Sequence, residues 1–138
     1  FTSGHRAGHV FIGGTRPDGS TEAAGFYPAN RAVAETLIEH SSVLEGAVRD
    51  DSFLLDAALA GDPNFQVMTY SVSHEQYVSA FSYMRDYAST RDYGLFTSSC
   101  VHAAFASLGY ARVITNMTSG LFGLSPNGVY RAIALYNQ

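Results

Sequence analysis

The feature that most constrains the fold is a β-hairpin pattern near the start of the chain. Residues 8–13 alternate in strand fashion and are rich in β-forming side chains. Residues 16–20 read Arg-Pro-Asp-Gly-Ser, and an Asp-Gly pair between strand-like runs is a strong hairpin signal. We expect residues 21–27 to form the returning strand and Pro28 to stop it. The hairpin therefore predicts that antiparallel β-structure is part of the fold.

The stretch after the hairpin predicts two helices and a further strand. Residues 29–44 carry apolar side chains at helical spacing, and Asn30 is a plausible N-cap. Residues 54–59 fit a short helix inside an otherwise irregular stretch. Residues 65–72 alternate between apolar and polar side chains, which is typical of a strand.

A longer amphipathic helix is predicted over residues 73–88. Ser73 followed by Gln76 fits a capping box, in which each residue satisfies a backbone N–H of the other. Five apolar side chains then recur at helical spacing and form one face that we expect to be core: Tyr77, Ala80, Phe81, Met84 and Ala88.

The next helix carries the only cysteine of the chain, Cys100, in its first turn. Three good capping residues precede it, Thr97, Ser98 and Ser99. A stripe of Val101, Ala104, Phe105 and Leu108 predicts its buried face, and Gly109 its end.

A last helix through residues 130–135 is predicted from Ser125 as N-cap and Pro126 at the first helical position. The predicted elements together indicate an α+β fold, in which a small antiparallel sheet packs on the helix that bears Cys100.

Composition narrows the class of protein. With 138 residues the chain is expected to form one domain, residues 1–138, and since it lacks an initiator Met we expect it to be excised from a longer protein. The 46% of hydrophobic residues excludes a disordered chain.

The net charge is −4 and the eight basic residues, all Arg, are scattered, so nucleic-acid binding is not expected. No apolar run approaches the roughly 18–20 residues that cross a bilayer, so no membrane partner is expected.

Cys100 is the candidate nucleophile. A helix N-terminus or a neighbouring imidazole lowers a thiol pKa from about 8.5 to roughly 3.5–7.5, which produces the reactive thiolate. Of the five histidines, His9 is the best candidate base, because it lies on a strand-like segment among glycines that permit close approach. His102 points about 200° away from Cys100 around the helix, so a structural role is expected for it, as for His40 and His74.

Two other interpretations of these residues stay open. A lone cysteine near a helix start is often a small core hydrophobe, which would make the domain non-catalytic. Zinc could bind His5, His9, Cys100 and His102, but an extended segment separates His5 from His9 by about 13 Å at ~3.3 Å per residue. We therefore predict no metal and no cofactor.

The His9 and Cys100 segments together resemble a known family. Residues 8–13 (Gly-His-Val-Phe-Ile-Gly), residues 25–28 (Gly-Phe-Tyr-Pro) and residues 95–100 (Leu-Phe-Thr-Ser-Ser-Cys) are similar to circularly permuted papain-like hydrolases, relatives of the NlpC-type peptidases and the lecithin retinol acyltransferases. In permuted members the His strand precedes the Cys helix, as here. Ser99 stands where such segments commonly have Asn.

The resemblance implies a papain-like fold, Cys100 as nucleophile, His9 as base, and attack on acyl or amide carbonyls. A third polar residue normally orients the imidazole from the strand after the His strand. A hairpin turn at Asp18-Gly19 sets Tyr27 or Pro28 opposite His9. The candidates for the third residue are Glu22, Tyr27 and Asn30, and a two-residue dyad is the alternative.

The expected function is that of a cysteine peptidase or amidase, as the effector toxin module of a larger bacterial protein. The resemblance implies a protein or peptidoglycan peptide as substrate, a cognate immunity protein as partner, and secretion or delivery into a target bacterial cell. An acyltransferase or deamidase with the same Cys–His pair is the alternative, and it differs in what accepts the acyl group.

Overall fold

The computed structural model describes residues 9–29, 43–94, 99–114 and 126–137. Within them the fold is α+β, as expected. The strands are β1 (Phe11–Thr15), β2 (Thr21–Pro28), β3 (Val43–Leu44), β4 (Gly46–Asp50) and β5 (Tyr93–Gly94). The helices are α1 (Ser52–Leu59), α2 (His74–Thr90), α3 (Cys100–Tyr110) and α4 (Pro126–Tyr136).

The predicted hairpin is confirmed as the first two strands of an antiparallel sheet with the order β1-β2-β4, but its first strand begins only at Phe11, so His9 and Val10 precede the strand on which they were expected. Phe11 pairs with Gly25, and the turn closes where the Gly19 N–H donates to the Arg16 carbonyl at 2.9 Å. Gly19 has φ +87°, a conformation that glycine adopts without strain. Pro28 is the last residue of β2 rather than a stop before it, because it sits at the end of the ladder opposite Gly46.

The prediction of a helix over residues 29–44 is wrong at both ends of the segment, which are the parts that the structure describes. The Ala29 N–H donates to the Glu45 carbonyl, which continues the β2–β4 ladder. Val43–Leu44 forms β3 and pairs with β5, fifty residues further along the chain. Pairing with a distant strand overrides a local helical spacing. The rest of that segment, Asn30 included, lies outside the described residues.

The strand expected over residues 65–72 is also wrong, because no strand forms there. Phe65 is buried, but Val67 and Tyr70 are exposed, so the alternating side chains do not form one buried face. The Asn137 side chain donates to the Val67 carbonyl at 3.1 Å, so a side chain that follows α4 takes the place of a neighbouring strand at this carbonyl.

The other helix predictions agree with the structure where it describes them. The short helix is α1, and α2 has the predicted capping box between Ser73 and Gln76. Helix α3 begins at Cys100 and runs to Tyr110, one residue past the predicted end. Ser125 lies outside the described residues.

The core lies between one face of the sheet and helices α2 and α3. It contains Ile12, Ala24, Phe26, Ala80, Phe81, Met84, Tyr87, Ala103, Ala104 and Ala111. A smaller cluster of Cys100, Val101 and Val129 joins the start of α3 to α4. Successive side chains of a strand alternate between faces, so Gly25, Tyr27 and Arg49 occupy the opposite face of the sheet.

None of the helices described is both long enough and apolar enough to cross a membrane.

Candidate active site

His9 lies two residues before β1, where the hairpin register sets Tyr27 across from it. The His9 and Tyr27 rings stack, with centroids 4.2 Å apart and planes inclined by 26°. The register therefore agrees with one of the two expected, and a Tyr rather than a carboxylate flanks the imidazole. Stacking fixes the plane of the His9 ring against the sheet.

Asp51 is the hydrogen-bond partner of His9, at 2.9 Å between Nε2 and Oδ2. Asp51 is only 1% exposed, and its other oxygen accepts a hydrogen bond from the Tyr27 hydroxyl at 2.5 Å. Each carboxylate oxygen thus has a hydrogen-bond partner, the imidazole for one and the phenol for the other, and these two bonds stabilise the buried charge.

Gly25 makes this pair possible. It occupies β2, between the strand that leads from His9 and the strand that leads to Asp51. A Cβ at this position would lie 2.2 Å from Asp51 Oδ2 and 2.5 Å from His9 Nε2. The His9–Asp51 hydrogen bond therefore crosses directly over the backbone of a glycine, and any side chain there would occupy its path.

Asp50 bonds to the first turn of α1, whereas the neighbouring Asp51 bonds to His9. Asp51 is the N-cap of α1, yet its side chain makes no capping hydrogen bond. Asp50 accepts from the Ser52 backbone N–H at 2.9 Å and from the Ser52 hydroxyl. Because Asp50 satisfies this first-turn donor, Asp51 is free to turn toward His9.

Cys100 sits in the first turn of α3 and is 2% exposed. Burial raises the pKa of its thiol, whereas the hydrogen bond and the positive charge of His9 lower it. Hydrogen bonds from the Val10 backbone N–H and the Tyr93 hydroxyl add to them, so the pKa lies below its ordinary value. Because Nε2 of His9 is hydrogen-bonded to Asp51, the ring nitrogen left to interact with Cys100 is Nδ1.

The His9 pKa moves in the opposite direction. Burial lowers it, but the hydrogen bond to Asp51, the hydrogen bond to Cys100 and the charges of both raise it to about 9. Below pH 9 the imidazole is therefore protonated while the thiol is already inclined to ionise. This arrangement favours a thiolate–imidazolium pair over the neutral thiol and imidazole.

Tyr93 is a second group on the nucleophile. Burial and the neighbouring Cys100 charge raise the pKa of Tyr93 well above its ordinary value, so its hydroxyl keeps its proton. That hydroxyl interacts with both the Cys100 side chain and the Cys100 backbone N–H. The hydroxyl thus donates to Sγ and accepts from the Cys100 N–H, which keeps both donors close to the sulfur.

Ser99 and His102 hold the start of α3. Nδ1 of His102 accepts the Ser99 backbone N–H at 3.1 Å and lies 2.9 Å from the Ser99 hydroxyl, in a capping box. Acceptance at Nδ1 requires a neutral ring, and burial lowers the His102 pKa accordingly. His102 has the structural role expected of it, and Ser99 caps the nucleophile's helix.

The remaining predicted residues lie elsewhere. Glu22, a candidate for the third position, pairs with Arg16 at 3.1 Å near the hairpin turn, so it is not the partner of His9. Asn30, His5 and His40 are outside the described residues, as are Thr97 and Ser98. In the described part of the chain no three His, Cys, Asp or Glu side chains cluster as a metal site would require.

Of the glycines near His9, the structure describes Gly13 and Gly14, and neither contacts the site. A Cβ at Gly13 would meet the Leu55 side chain, and one at Gly14 the Tyr77 ring. These two glycines make room for packing from α1 and α2, whereas the glycine that serves the site is Gly25.

Sequence reasoning missed Asp51 and Tyr93. The doubled Asp before α1 was a usable signal, since one carboxylate suffices to cap a helix and a second is left over. Tyr93 gives no local signal, because its approach to Cys100 depends on the pairing of β5 with β3.

A cleft of about 620 Å³ is lined by residues of β2, β4 and α2. Its polar lining includes Glu22, Arg49, Asp50 and Arg85, but neither His9 nor Cys100.

The site brings together a thiol whose pKa is lowered, an imidazole that is hydrogen-bonded to a carboxylate, and a tyrosine hydroxyl that interacts with the thiol. This combination suits nucleophilic attack on a carbonyl. Scans against protein-family models and searches of the curated proteins and the solved structures return no match for this chain.

Proposed function

We propose that this chain is a cysteine hydrolase, a peptidase or amidase, with Cys100 as nucleophile, His9 as general base and acid, and Asp51 as the group that orients His9. The observation that carries the proposal is the hydrogen-bonded chain from Tyr27 through Asp51 to His9, whose imidazole in turn lowers the pKa of the Cys100 thiol. A cysteine that only filled the core would need neither the imidazole nor the buried carboxylate behind it.

In the proposed reaction the Cys100 thiolate attacks the carbonyl carbon and the C–N bond of the tetrahedral intermediate then breaks. Protonated His9 gives its proton to the departing amine, which leaves an acyl-thioester and a neutral imidazole. His9 next takes a proton from water, the hydroxide attacks the thioester, and the Cys100 thiolate leaves. The Cys100 N–H and the Tyr93 hydroxyl stabilise the oxyanion at both stages.

The finer fold and the biology of the proposal rest on the resemblance stated above. We assign the domain to the permuted papain-like fold, and support comes from the order of elements, a hairpin that His9 immediately precedes, followed by a Cys helix packed on the same sheet. The biological role is a secreted effector that cleaves an amide bond in a target-cell protein or in peptidoglycan. Its producer is then protected by a cognate immunity protein.

Growth of a bacterial host that expresses the chain tests the function. We expect toxicity that Cys100→Ala, His9→Ala and Asp51→Asn each abolish, while His74→Ala, a change at an exposed histidine, keeps it. Toxicity only on export indicates peptidoglycan, and mass spectrometry of muropeptides then locates the cut bond. Toxicity in the cytoplasm indicates a protein substrate, identified by new N-termini.

The acyl acceptor separates the hydrolase from its alternatives. A Cys100-dependent product that carries an added acyl group indicates acyl transfer, and a mass gain of 1 Da at a glutamine or asparagine indicates deamidation. If the purified protein reacts with an alkylating reagent no faster at Cys100 than a free thiol does at any pH, the catalytic proposal is wrong and a binding domain takes its place.

A further inference from the structure

Arg49 lies beside the candidate site on the same face of the sheet. It pairs with Gly25 across β2 and β4, and directly opposed residues of two strands share a face. The His9–Asp51 hydrogen bond runs over Gly25, so the Arg49 side chain starts from the position next to it.

The guanidinium of Arg49 lies on the other side of Tyr27 from β1. Its Cζ is 5.9 Å from the centre of the Tyr27 ring, and that ring stacks on His9 at 4.2 Å. These two distances limit the separation between the guanidinium carbon and the imidazole centre to about 10 Å. An extended peptide covers such a distance with about three residues at ~3.3–3.6 Å each.

The guanidinium of Arg49 has hydrogen-bond donors that are not all used. Nη2 donates to the Ala29 carbonyl at 2.9 Å, but Nε is buried and has no hydrogen-bond partner. Asp51, the carboxylate two residues away, has both oxygens committed to His9 and Tyr27. The ion pairs found in the described residues are His9–Asp51 and Arg16–Glu22, and neither includes Arg49. A buried guanidinium N–H without an acceptor is costly, and a carboxylate is the acceptor that a guanidinium fork fits best.

We propose that Arg49 is a specificity residue that binds a carboxylate of the substrate within about three residues of the scissile carbonyl. The inference deepens the proposed function and rests on it, because it assigns the substrate class to acyl donors that bear an acidic group, such as an acidic peptide. Arg49 binds the substrate through the part of its fork that the Ala29 carbonyl does not hold, while Nη2 stays on Ala29 and the guanidinium lies over the Tyr27 ring.

The test uses labelling of Cys100 by two matched peptides, N-iodoacetyl-Ala-Glu-amide and N-iodoacetyl-Ala-Gln-amide. In each the thiolate forms a C–S bond, the C–I bond breaks and iodide leaves, so the pair differs only in one carboxylate. We expect the Glu probe to label the native protein about tenfold or more faster than the Gln probe at low salt. Arg49→Gln is expected to bring the ratio of the two rates close to 1, and Arg49→Lys to an intermediate value.

The matched control is Arg16→Gln. Arg16 also lies 5.9 Å over a tyrosine ring, that of Tyr77, but it is paired with Glu22 at the far end of the hairpin. We expect this variant to keep the full preference for the Glu probe. Should Arg49→Gln not fold, the native protein alone is decisive, because 0.5 M salt must reduce a preference that comes from a guanidinium–carboxylate pair.

The outcomes separate the two proposals. Rapid labelling of Cys100 with equal rates for both probes overturns the role of Arg49 and leaves the hydrolase intact. A Glu preference that survives Arg49→Gln overturns it as well. Labelling no faster than that of a free thiol overturns the hydrolase itself.

Discussion

At the scale of single residues, the site depends on a glycine as much as on the reacting groups. The charge of Asp51 is buried, and a buried carboxylate is tolerated only when its partners are in place. Those partners, His9 and Tyr27, reach it from β1 and β2 because Gly25 leaves the space above the sheet open. The geometry of the pair is thus set by the backbone, and the pKa values of His9 and Cys100 follow from the geometry.

Replacing the carboxylate tests the electrostatic part of this arrangement. In Asp51→Asn the amide oxygen still accepts from His9, but the negative charge that favours the imidazolium is gone. The pKa of His9 then falls from about 9 toward its ordinary value, and the Cys100 pKa rises because a positive neighbour is lost. We expect the alkylation rate of Cys100 by iodoacetamide to reach its plateau at higher pH, and turnover to fall on the order of 100-fold.

The native protein is expected to show a bell-shaped pH dependence of turnover. The acid limb belongs to ionisation of the Cys100–His9 pair below the ordinary thiol pKa, and the alkaline limb to loss of the imidazolium proton near pH 9. Asp50→Asn is the matched control, since Asp50 accepts from Ser52 and does not touch His9. An unchanged profile in Asp51→Asn contradicts the assigned role of Asp51.

Replacing the glycine tests the geometric part. In Gly25→Ala the new Cβ meets Asp51 Oδ2 and His9 Nε2 at distances no real Cβ tolerates, so the two side chains must separate. We expect a folded protein whose Cys100 alkylation shifts to higher pH, as in Asp51→Asn. Gly13→Ala on the same strand pair is the control, because its Cβ meets the flexible end of Leu55 instead. A native pH profile in Gly25→Ala, measured alongside a native circular dichroism spectrum, contradicts this account.

At the scale of elements, helix α3 and the hairpin were predictable from local sequence, and the contacts between them were not. The Asp-Gly turn sets the register that brings Tyr27 to His9, and the capping residue before Cys100 sets the start of its helix. Asp51 and Tyr93 reach the site through β4 and β5, whose partners are distant in sequence. A local pattern does not contain such pairings, which is also why residues 29–44 were predicted as a helix.

The hydrogen bonds between Ser99 and His102 at the start of α3 lead to a prediction about stability. In His102→Ala the Ser99 N–H and hydroxyl lose their acceptor, and we expect the free energy of unfolding to fall by about 1 kcal/mol. Gln at this position restores the usual capping box, so His102→Gln should recover most of that loss in a denaturant titration. Neither variant is expected to shift the pH dependence of Cys100 alkylation. A shift in both would give His102 a part in the ionisation of the thiol.

At the scale of the whole molecule, the nucleophile belongs to a small cluster that α4 completes. Val129 of α4 is 2% exposed and packs with Cys100 and Val101, whereas the main core lies on the sheet side of α3. The last helix of the chain thus buries the first turn of the helix that carries the thiol. Packing of α4 therefore contributes both to stability and to the exclusion of water from Sγ.

Truncation of this contact tests whether α4 and the sheet unfold together. Val129→Ala removes two buried methyl groups, and we expect the free energy of unfolding to fall by about 2 kcal/mol. Leu135→Ala, at a 68% exposed position of the same helix, should change it by less than about 0.5 kcal/mol. In Val129→Ala, far-UV circular dichroism and the exposure of Cys100 to a neutral thiol reagent should share one midpoint in denaturant. Cys100 exposure at a lower denaturant concentration than the loss of helix would instead mean that α4 detaches on its own, so that the thiol is covered by a helix less stable than the rest of the fold.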